Sequence, residues 1–542
     1  MAGKHDYSRT RRMSLPAGFS NAKRMKHVIA RAIMCSTLLV LPSCHIPKIR
    51  QSELGLGLPA SFNGATSSDN SAQLRVEEFY NDPILARLVC QALANNRELK
   101  ILEEEVQIAR NEILSRRGAY LPFVGFRGTG GMDKPSLFTP EGQAEKQLEY
   151  FPGKHFPDPL PNVLTSLNIF WQLDIWRELR NARDAAAQRY VAAIEKRNYF
   201  LTRLVADIAE NYYGLMALDK RLENLDRIIE LQQQSYEFAK ARFDAGRGTE
   251  LAVQRFLAEV RKNQSEKLIV RQEIVEVENR INFLAGRFPQ PVERVSAGFY
   301  DLNIHALSVG VPAQLLQNRP DIRQAERELA AAGLDVKVAR AHFFPRLDIT
   351  AGVGYQAFNP KYLFMTPEAL IANAAGDLTA PLINKAAIKA EYLSANARQL
   401  ESVYTYQRVI LNAFTEVINR LSMVENYRKS IEIRKQQLTA LETSVDVATK
   451  LFQNARTEYI EVLFAQRDLL DARMILIDTK RQQLSAIVNA YQALGGGYLM
   501  SCPPPDLHLD APEPPRPPEL PQLPAPREVP QLPAPRKEKD AP

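Results

Sequence analysis

A chain of 542 residues, 45% apolar and 24% charged, holds apolar material for several cores, which excludes a small stapled scaffold and a wholly disordered protein. The first 43 residues carry eight of the 69 basic residues and one of the 62 acidic ones; without them 61 of each remain, so the formal charge of +7 gives no argument for nucleic acid. Seven histidines and four cysteines leave little for a multi-ligand metal site or a disulfide framework.

The first element in chain order is targeting. A basic region ending at Arg31 precedes an apolar run, 32–41, too short to span a bilayer as a mature helix, so 1–43 reads as an export signal. The run closes at Leu41-Pro42-Ser43-Cys44, which resembles a bacterial lipoprotein processing site, with Cys44 as the residue acylated. His45 at the next position fits sorting to an outer membrane. Residues 44–82 then form a lipid-anchored N-terminal segment, and that lipid on Cys44 is the only attached group expected. The competing reading is a cleaved signal with an incidental cysteine. Cys90 and Cys502 are expected as two thiols in apolar surroundings rather than as a bridge.

Beyond the leader the informative feature is an internal tandem duplication. Asn95, Glu98, Leu99, Lys100, Ala109, Leu121 and Pro122 meet Asn318, Asp321, Ile322, Arg323, Ala332, Phe344 and Pro345 at a constant offset of 223. Farther on, Leu173-Asp174-Ile175 meets Ala380-Pro381-Leu382 at 207, and Phe243 meets Phe452 at 209, so the first copy carries a loop 16 residues longer. The two units, 83–300 and 301–502, each read as helix, β-hairpin and two long helices, a doubled unit rather than a solenoid.

Each copy holds two alternating segments. Leu347, Ile349, Ala351, Val353 and Tyr355 alternate with polar or small residues, as do Val163, Thr165, Leu167, Ile169, Trp171 and Leu173. Ala372, Ala374, Leu378 and Ala380 supply a third strand, and Val124 and Phe126 a weaker fourth. One apolar face at this length suits a tilted membrane strand; from the strands alone, an ordinary sheet packed on a core by one face is the stronger reading. The helices shift that balance. From 177 to 243 there is no proline and one glycine, and a continuous helix there runs to roughly 100 Å at 1.5 Å per residue. The pattern returns from 385 to 452. Shorter partners follow at 251–285 and 460–494, the second with a seam of Leu463, Leu470, Met474, Ile477, Leu484, Val488 and Tyr491. Such helices bury their seams in coiled-coil fashion, against each other or against other subunits. Four strands close no barrel, and open edges are not tolerated in lipid, so a membrane reading requires oligomers; three copies supply twelve strands.

The stretch Gln314-Leu315-Leu316-Gln317-Asn318-Arg319-Pro320-Asp321-Ile322-Arg323-Gln324-Ala325-Glu326, followed by Val338-Ala339-Arg340-Ala341-His342-Phe343-Phe344-Pro345, resembles the signature of the TolC-like outer-membrane factor family, lipoprotein efflux branch. Locally, Pro320 and Asp321 make a sound helix start, which suffices to explain them. The resemblance implies an α+β membrane protein. Its homotrimer forms a twelve-stranded outer-membrane β-barrel, four strands per chain, continuous with a long periplasmic α-helical barrel belted by shorter helices. Loops 132–162 and 357–367 then face outside, the first as a lid or plug or as a solvated loop. Trp171, Phe170, Tyr355 and Trp176 fall near the membrane interfaces, with core packing as the other role.

By the same resemblance, the breaks between long and short helices are periplasmic tips that dock a membrane-fusion adaptor: Gly246, Arg247 and Gly248 in the first, Ala455 and Arg456 in the second, where alanine replaces glycine. A plain helix-hairpin turn is the alternative. Ile460 aligns with an apolar gate position and Glu461 with a carboxylate position, while Phe464 stands where relatives carry a second acid. Threefold symmetry makes Glu461 a cation-selecting ring; a solvated helix residue is the bland reading. No nucleophile elbow, paired zinc motif or phosphate-binding glycine loop appears, so no enzyme is expected. The tail, 503–542, holds fifteen of the 35 prolines and repeats Pro-Gln-Leu-Pro-Ala-Pro-Arg, the composition of an extended polyproline chain.

The reading is a passive exit duct of a tripartite efflux system, anchored in outer-membrane lipid, with an adaptor and an inner-membrane pump as partners. Its rivals are the exit channel of a type I protein secretion system and a non-channel periplasmic coiled-coil tether.

Overall fold

The computed structural model describes residues 46–502, apart from 54, 56, 63–68, 303, 305–307 and 501. The export signal, Cys44 and the polyproline tail therefore lie outside the described residues. The chain divides into two units, Met1–Ser501 and Cys502–Pro542, and all the elements below belong to the first.

Three helices open the fold: α1 (Val76–Tyr80), α2 (Pro83–Asn95) and α3 (Arg97–Ala119). The Asp82 carboxylate accepts from the amides of Ile84 and Leu85 with Pro83 at the first helical position, a combination that satisfies orphan donors and sacrifices none. Strand β1 (Phe123–Asp133) leads into α4 (Pro140–Gln147) and the small hairpin of β2 (Glu149–Phe151) and β3 (Lys154–His155), then β4 (Leu160–Leu173). The long helix α5 (Glu178–Asp244) and its partner α6 (Glu250–Leu284) follow. After a connector come α7 (Leu315–Asn318), α8 (Pro320–Ala341), β5 (Arg346–Ala357), β6 (Leu370–Thr379), α9 (Ala386–Gln453) and α10 (Tyr459–Ala493). The 67-residue α5 and 68-residue α9 match the proline-free runs read from the sequence within a residue or two.

β1, β4, β5 and β6 make one antiparallel sheet in that order. Its register aligns the alternation of all four strands. Val124, Ile169, Ala351 and Ala374 lie in one cross-strand row, and Phe126, Leu167, Val353 and Ala372 in the next row of the same face. The opposite face carries Gly125, Asn168, Gly352 and Asn373, then Arg127, Ser166, Gly354 and Ile371, with Phe123 paired to Phe170 at the helix end. Opposed residues share a face, so one side is apolar and the other mostly polar or small, with Phe123, Phe170 and Ile371 as its apolar members. The sheet is not laid on a core by one face: β1 and β6 are exposed along nearly their whole length, and Phe123, Phe126 and Leu378 stand open. β1 and β6 are also the outer strands, each with one unpaired backbone edge.

Helices attach at one end of this sheet. There the Trp171 indole donates to Tyr120 O at 3.1 Å, and the Trp176 indole donates to Pro345 O at 2.7 Å while stacking on Phe344 at 4.7 Å. Each indole thus has its polar tip satisfied and its rings against the joint.

The main core sits at the middle of the long helices. Residues Leu204, Ile208, Tyr212 and Leu215 of α5 meet α1, α2, the end of α6, and Ile477, Leu484, Val488 and Tyr491 of α10. Phe79 stacks on Tyr491 at 3.9 Å, and the Tyr491 hydroxyl donates to Leu74 O. Burying each such ring contributes about 1.5–3 kcal/mol. The short helices are therefore fastened around the waist of the long ones. Arg467 is exposed, outside the α10 seam.

One sequence expectation is corrected and two open points gain detail. Cys90 and Cys502 are both disulfide-bonded rather than free, a state open to cysteines outside a reducing compartment. Loop 132–162, read as a lid or plug or as a solvated loop, contains α4 and the β2–β3 hairpin, because Thr139 caps Pro140–Gln147 and Gly153 takes the positive φ of the turn. Ala455, whose conformation the sequence left open, takes the left-handed backbone of a glycine at φ 54°.

Candidate functional site

The two breaks between long and short helices fold alike. In the first, Gly246 at φ 67° lets its amide donate to Phe243 O and the Arg247 amide donate to Arg242 O, each at 2.9 Å. In the second, the Ala455 amide donates to Phe452 O at 3.1 Å and the Arg456 amide to Leu451 O at 2.9 Å. Both are the paired backbone closures of a left-handed helix end. Alanine there costs roughly 1–2 kcal/mol of backbone strain that glycine avoids. Space at Gly248 is tight: a Cβ would sit 3.0 Å from Phe243 N. Thr249 then caps α6 through the Ala252 amide.

These tips form one body. Phe452 lies edge-on to Phe238 at 5.4 Å, and Phe256 lies within 6.4 Å of both Phe452 and Tyr459. The Arg242 guanidinium stands 5.2 Å from the centre of the Phe452 ring and donates to Phe452 O and Arg247 O. A cation over an aromatic face adds about 0.5–1 kcal/mol at an exposed site. The sequence did not single out Arg242; an arginine near a helix end carries no local mark of a partner 210 positions away.

Just past the second tip, α10 separates its faces cleanly. Val462, Leu463, Ala465 and Gln466 are buried, Glu461 is exposed, Phe464 is 53% exposed, and Ile460 is half-buried. Glu461 sits in the first turn, where the helix dipole favours a carboxylate. At helical spacing the same exposed stripe continues through Asp468, Asp471, Ile475 and Asp478, acids the sequence reading missed beyond Glu461. Behind the stripe, the Gln466 amide donates to Ser235 Oγ at 3.0 Å, and between α5 and α6 the Asn263 amide donates to Gln232 at 2.8 Å.

The Arg319-Pro320-Asp321 motif lies at the waist. Arg319 is 1% exposed; it grips both Asp321 oxygens at 3.0 and 2.7 Å, Glu416 at 2.9 Å and Ala493 O at 2.7 Å, tying α8 to the middle of α9 and the end of α10. In the first half of the chain the Asn96 amide donates to Leu284 O at 2.9 Å.

At the N-terminus of the described chain, Ile46 packs on Val336, Phe343 and Tyr392, and Arg50 exchanges two hydrogen bonds with Asn396. Phe62 stacks on Phe414 at 5.4 Å, so this segment runs along α9 from the sheet joint to the waist.

A family model of outer membrane efflux proteins matches residues 88–287 and 311–496. Cation efflux system protein CusC of Escherichia coli O6:H1 is 27% identical over 439 residues, 81% of this chain and 92% of that one. Solvent efflux pump outer membrane protein SrpC of Pseudomonas putida is also 27% identical, over 86% of this chain and 97% of its own. A crystal structure of CusC superposes with a TM-score of 0.72 at 25% identity, covering 84% of this chain and all of that one. With its free sheet edges, belted long helices and paired tips, the chain belongs to the outer membrane efflux protein family.

Proposed function

We propose that three copies of this chain join their sheets edge to edge into a twelve-stranded barrel, forming the passive exit duct of a tripartite efflux system. The observation that carries the reading is the sheet: its faces divide into apolar and polar rows while β1 and β6 each keep an open edge. An unpaired backbone group in lipid costs several kcal/mol, so a lipid-facing sheet must find partners, and a non-channel tether has no use for one. The strands alternate in direction along the sheet, so β6 of one copy meets β1 of the next antiparallel.

An internal duplication accounts for contacts that recur at the two offsets. A Cβ on Gly286 would strike Asn95 O, and one on Gly495 would strike Asn318 O. Arg177 and Asn384, both with positive φ, open the two strand-to-helix joints, and Asn96 on Leu284 O answers Arg319 on Ala493 O.

The Ile46 contact supports lipidation of Cys44: two residues beyond it, the chain is held beside the sheet joint, where an acyl chain meets the membrane. The tips around Gly246, Arg247, Gly248, Ala455 and Arg456 are where an adaptor docks, and Ile460, Glu461 and Phe464 line the constriction. The relatives' names span cations and solvents, which fits a duct that sorts small molecules by size and charge while an inner-membrane pump supplies energy and selection.

In planar bilayers the purified protein is expected to give discrete conductance steps with a cation preference, and Glu461→Gln to lower that preference severalfold. Absence of steps refutes the duct; steps with an unaltered preference refute the carboxylate ring alone.

A further inference from the structure

At the end of the sheet away from the long helices, the two connecting loops are one folded body. Tyr150 lies 4.9 Å and Phe156 5.1 Å from Phe358, ring centre to ring centre, and Phe358 lies 5.6 Å from Tyr362. Gln356 donates to Asn162 at 2.9 Å across the base of the loops. Gly142 is locked inside, since a Cβ would fall 2.2 Å from Ser136 O. The loop after β1 is thus pinned on the loop before β6 rather than free in solvent.

The pinning leaves two large apolar features largely open, although Phe364 meets Tyr355 edge-on at 5.6 Å. Phe138, five positions beyond the end of β1, is 100% exposed; Phe364, six positions before the start of β6, is 70% exposed with Met365 beside it. Along the chain, Phe138 follows the outer strand β1 and Phe364 precedes the outer strand β6. We propose that Phe138 of one copy seats on Phe364 and Met365 of the next, a clasp between neighbouring copies at the outer mouth. The occupant is a second copy because antiparallel pairing of β1 with the next copy's β6 sets the loop end of one strand beside the loop end of the other. Finger and platform then stand at similar distances along the chain from the seam. Covering two such rings at each seam removes apolar area that otherwise faces water. The proposal rests on the edge pairing above.

The test is oxidative cross-linking of the full chain in outer membranes, using Phe138→Cys with Phe364→Cys and each single variant alone, together with the mass of the unmodified complex in detergent. The expected result is loss of the monomer band into dimers and trimers on non-reducing gels for the double variant, with the single variants monomeric. A three-chain mass without cross-linked species overturns the clasp and leaves the barrel standing. A one-chain mass overturns both.

Discussion

Arg319→Ala is expected to destabilise the fold by about 3–5 kcal/mol, the cost of breaking a buried ion pair by removing one partner. The guanidinium, itself buried, satisfies Asp321, Glu416 and the Ala493 carbonyl at once. Removing it leaves two carboxylates facing each other beside an orphaned carbonyl, so the penalty exceeds what the pairs contributed. Its two carboxylates hold the guanidinium protonated against the desolvation that acts to discharge it. An exposed pair provides the contrast: Arg87 meets Glu293 at 3.2 Å with both side chains more than half open, and Arg87→Ala should cost at most about 1 kcal/mol. Denaturant unfolding followed by helical circular dichroism in detergent measures both. A loss for Arg319→Ala as small as that for Arg87→Ala would show that the waist is not held by this arginine.

The second large effect is pH-dependent and lies at the joint between sheet and helices. His342, at the end of α8, sits between Glu178 at 3.3 Å and Glu391 at 3.0 Å, binding the starts of α5 and α9. Its pKa is raised to about 9, chiefly by the Glu178 hydrogen bond and then by Glu391, against the opposing effect of partial burial. Because the folded value lies above the usual 6.5, the stabilisation is complete below about pH 6.5 and is lost as pH climbs through about 9. Allowing for solvent screening at a partly exposed site, the expected magnitude is on the order of 1–2 kcal/mol. Unfolding at pH 6 and at pH 9.5 should therefore separate wild type from His342→Gln at the lower pH and bring them together at the higher. Equal gaps at both values would deny the charge its role.

Much of the fold was legible because it is written in long periods. The four strands and four helical runs follow from alternation and three-four spacing sustained over many residues, and an error of one or two positions changes nothing. What was not legible is short or remote. The cap at Thr139 and the turn at Gly153 are small signals inside a loop whose proline and glycine content reads as irregular. Arg319 could be seen as part of a helix start, yet its partners Glu416 and Ala493 lie 97 and 174 positions away and no local pattern marks them. Ala455 shows the same limit from the other side. Sequence preference disfavours alanine in a left-handed turn, and the packing of Phe452 between Phe238 and Phe256 sets that turn regardless.

At the candidate site, Gly246 and the tip that follows could be read from the glycines themselves. The exposed stripe below Glu461 could have been found by stepping along α10 at helical spacing; the buried positions beside it decide which acids share that face, and burial needs the partner helices α5 and α9.

The duct requires that the open edges of β1 and β6 be completed by other copies of the chain. Light scattering of the detergent-purified protein, corrected for bound detergent, measures this most directly. Three chains per particle is the predicted result. A single folded chain, with its sheet intact and no partner on either edge, would contradict it.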